Sequence, residues 1–294
     1  MKICTLCPRM CAVDRKSGER GICGQTTEIK VARAALHFWE EPCISGEMGS
    51  GAVFFSGCAL HCVFCQNENI ANGTAGKVIS TERLGEIFLE LQEKGANNIN
   101  LVTPGQFVPQ IIKAVELARN QNLKIPIVYN TSSYENVDTI RSLEGIVDIY
   151  LPDFKYFDTA LSAKYSHAPD YPAVAKAVIA EMVRQTGAAF FENGEDSLMK
   201  RGTIVRHLIL PGHTKNSIAV LDELYETYGK NLTISLMNQY TPLPQVRDIP
   251  DLNRRVTKRE YEKVLDHALD IGITQGFFQE GGTAKESFIP LFDY

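Results

Sequence analysis

Cys58, Cys62 and Cys65 stand at C-x3-C-x2-C spacing in the run Gly57-Cys58-Ala59-Leu60-His61-Cys62-Val63-Phe64-Cys65. Three thiolates on one tight loop can converge on a metal centre, and soft sulfur suits iron–sulfur clusters and zinc. A [4Fe–4S] cluster normally takes four cysteines. Three from one loop leave one iron open, and an open position lets a metal centre take a substrate or cofactor. The alternatives are a zinc site or three buried thiols. Four further cysteines precede the triplet as Cys4-x2-Cys7-x3-Cys11-x11-Cys23, among Pro8, Gly18, Gly21 and Gly24. That segment is too poor in apolar residues to own a core. Four thiolates make a closed site for zinc or for a second [4Fe–4S] cluster, and bound metal would supply the missing folding free energy. Spacing does not choose between zinc, a cluster and no metal. A second cluster could relay electrons, whereas zinc could only hold structure. Cys43 stands alone and reads as a buried free thiol, with membership of a metal site as the alternative.

All eight cysteines lie between Cys4 and Cys65, and the rest of the 294-residue chain has none. A disulfide scaffold would be small or would spread its bridges, so the pattern reads as metal ligation in the reducing cytoplasm. Hydrophobic residues make up 44% and charged residues 22%, which excludes collagen, long disorder and a coiled coil. No uncharged apolar run is long enough to span a membrane, and Met1-Lys2-Ile3-Cys4 does not open a signal peptide. The net charge of −5 offers no basic excess for phosphate contacts, so nucleic acid is not expected as a partner.

The elements that must position the triplet follow from periodicity. Ile29 to Ala34 reads as a strand. Ala52 to Ser56 reads as a buried strand running straight into the triplet. Then Leu84, Ile87, Phe88 and Leu91 give a helical stripe, as do Val108, Ile111, Ile112 and Val115. Further strands are predicted over 99–102, 125–129, 147–151, 203–210 and 232–236, with a short one at 273–278. Helices are predicted near 137–143, 174–182 and 218–224, and after the T-x-x-E box at Thr257 to Glu260. An insertion at Phe190 to Met199 carries an Asn193-Gly194 hairpin signal. Six strands alternating with helices imply parallel pairing through right-handed crossovers. The length fits an α/β partial (β/α)6 barrel (residues 52–294) better than a closed eight-stranded one, preceded by a small Cys-rich extension (residues 1–51). In such folds the loops leaving the C-terminal strand ends build the site.

A C-x3-C-x-aromatic-C motif after the first barrel strand, with Phe64 as its aromatic, resembles the radical S-adenosylmethionine superfamily. Cys7-Pro8-Arg9, Glu40-Glu41-Pro42, Phe55-Ser56-Gly57-Cys58, Cys65-Gln66-Asn67, Tyr129-Asn130-Thr131, Asp153-Phe154-Lys155 and Arg206-His207-Leu208 extend the resemblance over nearly the whole chain. They are similar to a subgroup related to pyruvate formate-lyase-activating enzyme, an activase of glycyl radical enzymes. The resemblance implies a [4Fe–4S] cluster reduced by one electron from a flavodoxin- or ferredoxin-like donor. It also implies cleavage of S-adenosylmethionine to methionine and a 5′-deoxyadenosyl radical. That radical would take hydrogen from a glycine of a partner enzyme or from another small or macromolecular substrate. A non-catalytic iron–sulfur electron carrier is the competing class, and it has no use for a pocket at the strand ends.

The resemblance also implies S-adenosylmethionine contacts at successive strand ends. Thr103-Pro104-Gly105-Gln106 stands where the family often has a Gly-Gly-Glu-Pro stretch, so Thr103 or a backbone carbonyl must replace the missing carboxylate. Asn130 and Thr131 would meet the carboxylate or ribose, or else cap a helix. Alternation puts Asp153 and Lys155 on one side of an extended chain, where they resemble the D-x-K of the activases or make a surface salt bridge. Arg206 would point inward to a ligand or pair with a barrel acid. His207 reads as packed or solvent-facing. Gln239 would reach adenine or ribose, and Phe64 would approach the adenine mainly through its backbone.

Overall fold

The computed structural model describes residues 3–192, 197–274 and 276–279. Ten strands form one mixed sheet among the described residues. They are β1 (Ile29–His37), β2 (Ser50–Phe55), β3 (Lys77–Ile79), β4 (Ile99–Val102), β5 (Ile127–Thr131), β6 (Ile149–Pro152), β7 (Phe190–Phe191), β8 (Met199–Leu208), β9 (Thr233–Met237) and β10 (Gly276–Phe278). The helices are α1 (Pro42–Ser45), α2 (Glu68–Ala71), α3 (Thr81–Glu93), α4 (Val108–Asn120), α5 (Val137–Arg141), α6 (Thr159–Ser166), α7 (Tyr171–Thr186), α8 (Thr214–Tyr228) and α9 (Lys258–Asp270). The spatial order is β10-β9-β8-β6-β5-β4-β2-β1-β3, and β2 through β10 pair in parallel along it. Its two ends do not meet, so the expected partial barrel is present as an open one. The short strand expected at 273–278 is β10, a seventh parallel strand.

Local chemistry explains the boundaries. Ser80 caps α3 by accepting from the Arg83 N–H, and Leu84, Ile87, Phe88 and Leu91 are buried beneath it. The Thr257–Glu260 box caps α9 reciprocally. β5 begins at Ile127, two residues later than the apolar run, because Pro126 has no N–H for the ladder. β8 starts at Met199 rather than Thr203, since β7 pairs with its first residues in a hairpin. The Asn193-Gly194 turn lies outside the described residues. Periodicity misses α6, whose TALSAKYS sequence has no apolar stripe; Asp158 caps it by accepting from the Ala160 and Leu161 N–H groups. β1 and β3 close the sheet edge in antiparallel fashion, β1 on β2 and β3 on β1. Among the described residues no helix is long and apolar enough to cross a membrane.

Candidate active site

β2 is buried along its whole length, which fixes where the triplet loop leaves the sheet. The loop is tight. Gly57 has φ +88° and the non-glycine His61 φ +53°, both left-handed. The Leu60 N–H donates to Cys58 Sγ at 3.4 Å, and Ser166 Oγ donates to Cys62 Sγ at 3.1 Å. Burial pushes the thiols of Cys58 and Cys62 up, and that of Cys65 up to about 12. Without a cation these sulfurs stay protonated, so metal binding and deprotonation are coupled.

Gly57 also sits against the N-terminal segment. A Cβ there would run into the Cys23 carbonyl and the Gln25 side chain. Gly57→Ala is therefore expected to cost about 1–3 kcal/mol in strain, read as a lower urea midpoint with unchanged slope. An unchanged midpoint would show that the segment yields freely.

The three cysteines line one cavity of about 260 Å³. Phe64, Thr103, Asn130, Thr131, Asp153, Lys155, Arg206 and Gln239 line it too, so every residue expected at the triplet site faces a common space. They come from the C-terminal ends of successive parallel strands, the place this architecture reserves for ligands.

A charge network centred on Arg206 lines the same cavity. Arg206 Nε donates to Asp153 Oδ1 at 3.0 Å, Nη1 to Glu40 Oε2 at 3.1 Å and Nη2 to Asn130 Oδ1 at 2.6 Å. Lys155 Nζ donates to Asp153 Oδ2 at 2.5 Å. Burial pushes the Asp153 carboxyl up, but Arg206 and Lys155 override it and hold it below its ordinary value. Burial works against both cations as well, yet Asp153 keeps Lys155 charged, and Asp153 with Glu40 and Glu41 keeps Arg206 charged. Arg206 thus pairs with barrel acids, the alternative left open by sequence. Asp153 and Lys155 pair with each other, part-buried in the cavity wall and not on the open surface.

Glu40 is the residue that sequence reasoning left out of the site. It lies just beyond β1 and lines the cavity, where the Asn100 and Asn130 amides donate to its Oε1 at 3.0 and 3.3 Å. The Glu40-Glu41-Pro42 stretch was its signal, but distance along the chain hid its meeting with Arg206. Thr103 has φ +54°, a strained state for a β-branched residue. Its carbonyl accepts from Gln106 Nε2 at 2.9 Å. The Thr131 hydroxyl donates to Glu135 Oε1 at 2.9 Å, so its proton is already committed. The Phe64 ring packs edge-on against Tyr156 and Tyr240. Gln239 Oε1 accepts from Gln279 Nε2 at 3.4 Å.

His207 follows Arg206 on β8 and points the other way, fully buried. The Phe154 carbonyl can only accept, so Nδ1–H donates to it at 2.7 Å, and Nε2 accepts from Ser217 Oγ at 2.9 Å. Burial lowers its pKa from 6.5 to about 4. A base with a depressed folded pKa stabilises above pH 6.5, and that stability is lost as pH falls toward 4. Between those limits the native protein should lose on the order of 3 kcal/mol more than a His207→Gln variant. Denaturant titrations at several pH values measure it, and parallel acid limbs would refute the buried neutral imidazole.

The donor set fits a four-iron cluster. Three thiols on one loop would hold three of its irons, beside a cavity lined by charges of both signs. Comparison with known proteins agrees in fold. The uncharacterized protein MJ0674 of Methanocaldococcus jannaschii is 28% identical over 277 residues, covering 91% of this chain and 74% of that protein. HydG, a maturase of the [FeFe]-hydrogenase, superposes with TM-score 0.54 at 14% identity, covering 81% of this chain and 54% of its own. Streptococcus suis SuiB bound to its precursor peptide SuiA superposes with TM-score 0.50 at 14% identity, covering 76% and 46%. The structure of anSMEcpe with bound AdoMet gives 0.51 at 13% identity, covering 76% and 58%. The chain thus spans about half the length of the solved structures it matches. The Radical SAM superfamily profile matches residues 52–225, which take in the triplet loop and the strands carrying Asn130, Asp153 and Arg206. On that match the chain belongs to the Radical SAM superfamily, enzymes that work with a [4Fe–4S] cluster and S-adenosylmethionine.

Proposed function

We propose that this chain holds a [4Fe–4S] cluster on Cys58, Cys62 and Cys65, binds S-adenosylmethionine in the adjoining cavity, and takes hydrogen from a glycine of a glycyl radical enzyme. One observation carries the reading: three thiols and the Arg206 network line one cavity at the parallel strand ends. When bound, the cluster and S-adenosylmethionine supply the radical; the protein supplies binding, orientation and exclusion of water.

The residues divide that work. The Lys155 ammonium neutralises a ligand carboxylate. Asp153 and Glu40, fixed by Arg206, accept from an ammonium or from ribose hydroxyls. Glu40 thereby supplies the carboxylate that Thr103 to Gln106 lacks. The strained Thr103 presents its hydroxyl from the end of β4, Asn130 offers its amide, and Gln239 closes the far side. The backbone of Phe64 meets the adenine while its ring anchors the loop. The D-x-K pairing of Asp153 with Lys155 supports the activase reading, with a flavodoxin- or ferredoxin-like protein as the electron donor.

Anaerobically reconstituted protein reduced with dithionite should cleave S-adenosylmethionine to 5′-deoxyadenosine. No cleavage overturns the enzymatic reading. Co-expression with a glycyl radical enzyme carrying deuterated glycine should put deuterium into 5′-deoxyadenosine and give a glycyl radical signal in electron paramagnetic resonance. Cleavage without either moves the substrate to another molecule.

A further inference from the structure

Trp39 is the only tryptophan of the chain, and it lines the cavity that holds the three cysteines. It is nonetheless 61% exposed, whereas Phe54 and Val102 in the same lining are buried. A large ring that borders the cavity and still meets solvent stands at its mouth.

The local chain fixes it there. β1 ends at His37, which pairs with Ser50 on β2. Trp39 follows two residues later, and the next residue, Glu40, is held by Arg206 at 3.1 Å and by the Asn100 amide at 3.0 Å. The indole is therefore strung between a strand end and a buried ion pair.

The lining near Trp39 differs in chemistry from the charged part. His37 lines the cavity and packs edge-on against Phe54 at 6.1 Å. Burial and the nearby Arg33 lower its pKa from 6.5, so the imidazole is uncharged near neutrality. Phe54 and Val102 belong to one apolar cluster. These groups come from β1, β2 and β4, whereas Asn130, Asp153, Lys155 and Arg206 come from the ends of β5, β6 and β8. A charged sulfonium amino acid belongs with the second set. The first set suits an occupant with few charges.

The apolar surface continues beyond the mouth. Phe38, beside Trp39, is half exposed, and its ring covers Gly49, where a Cβ would come within 2.8 Å of it. Met48, next to Gly49, is half exposed as well. All three side chains belong to the connection between β1 and β2. A small molecule enclosed by the cavity leaves Phe38 and Met48 in water. A polypeptide entering from outside covers them together with Trp39, and tryptophan is the side chain on which such contacts most often centre.

We infer that Trp39 is the contact residue for the hydrogen-donating partner, packing against the polypeptide segment that carries the reacting glycine where it enters the cavity, with Phe38 and Met48 continuing the contact outside. The glycine-bearing polypeptide rests on the function proposed above; the division of the cavity does not.

Two measurements test it. The chain's tryptophan emission comes from this one residue. In anaerobically reconstituted protein, saturating S-adenosylmethionine should leave that emission open to acrylamide quenching; protection by S-adenosylmethionine alone would set the ring against the cofactor and overturn the contact. In the second, a glycyl radical enzyme carrying deuterated glycine is titrated into native, Trp39→Ala and Trp39→Phe proteins. Trp39→Ala should raise the partner concentration that half-saturates deuterium transfer into 5′-deoxyadenosine at least about ten-fold more than it raises that of S-adenosylmethionine. Trp39→Phe should recover most of the loss. Equal shifts for the two, or no shift, overturn the contact while native deuterium transfer keeps the proposed function standing. Native protein that cleaves S-adenosylmethionine and transfers no deuterium overturns both.

Discussion

Replacing any one of Cys58, Cys62 or Cys65 by alanine is expected to lower 5′-deoxyadenosine formation by more than about a hundred-fold. Even the outer partners of metal ligands cost 10–100-fold when removed, and here a ligand itself is lost. Ser166 Oγ, 3.1 Å from Cys62 Sγ, is a hydroxyl and replaces a soft thiolate poorly. The three positions should behave alike, since each supplies one corner and none duplicates another. Burial also keeps each remaining thiol protonated until a cation arrives, so a two-thiol site competes poorly for iron. Iron analysis separates the causes of failure. Loss of about four iron per chain with the far-ultraviolet circular dichroism preserved marks a lost cluster. Undiminished turnover in any of the three variants would falsify the triplet as the cluster site.

The triplet was legible because its information is local: three cysteines within eight residues at the end of an apolar run. The barrel was legible for a related reason, since every βα unit repeats two periodicities that a short window detects. What escaped needed either tertiary meeting or absence of pattern. Glu40 becomes a site residue only when β1 pairs with β2 and brings it to Arg206, far along the chain. β1 itself was legible as a strand, but its antiparallel place between β2 and β3 follows from the register of Arg33 on Phe54 and Ala34 on Val53, which no window contains. α6 lacks a stripe because its neighbours bury tyrosine and serine, Tyr165 and Ser166, and not an aliphatic face. Arg206 shows the limit of residue types: sequence placed it at the site, yet whether it meets ligand or acids depended on which acids arrive beside it.

Arg206→Met is expected to destabilise the fold by about 3–5 kcal/mol near neutral pH. The three groups it serves do not lose equally. Asp153 keeps Lys155 at 2.5 Å, and Asn130 still has Glu40 to donate to at 3.3 Å. Glu40 keeps only amide donors, so an ionised carboxylate is left buried without a cation. Removing one member of a buried pair costs far more than the pair's net worth, because the other's desolvation is no longer offset. Glu40→Gln in the same background removes that charge at nearly constant shape, and the double variant should recover most of the loss. In the native chain the Asp153 pKa is held below 3.8, so its contribution is present above that value and is lost as pH falls through the lower folded pKa. In Arg206→Met only Lys155 is left to hold the Asp153 carboxyl down, so that contribution is smaller and the gap between the proteins should narrow as pH falls below 3.8. Urea titrations from pH 7 to below 3.8 read the narrowing. A gap that stays constant with pH would mean that lost packing, not unpaired charge, governs the cavity wall around Arg206.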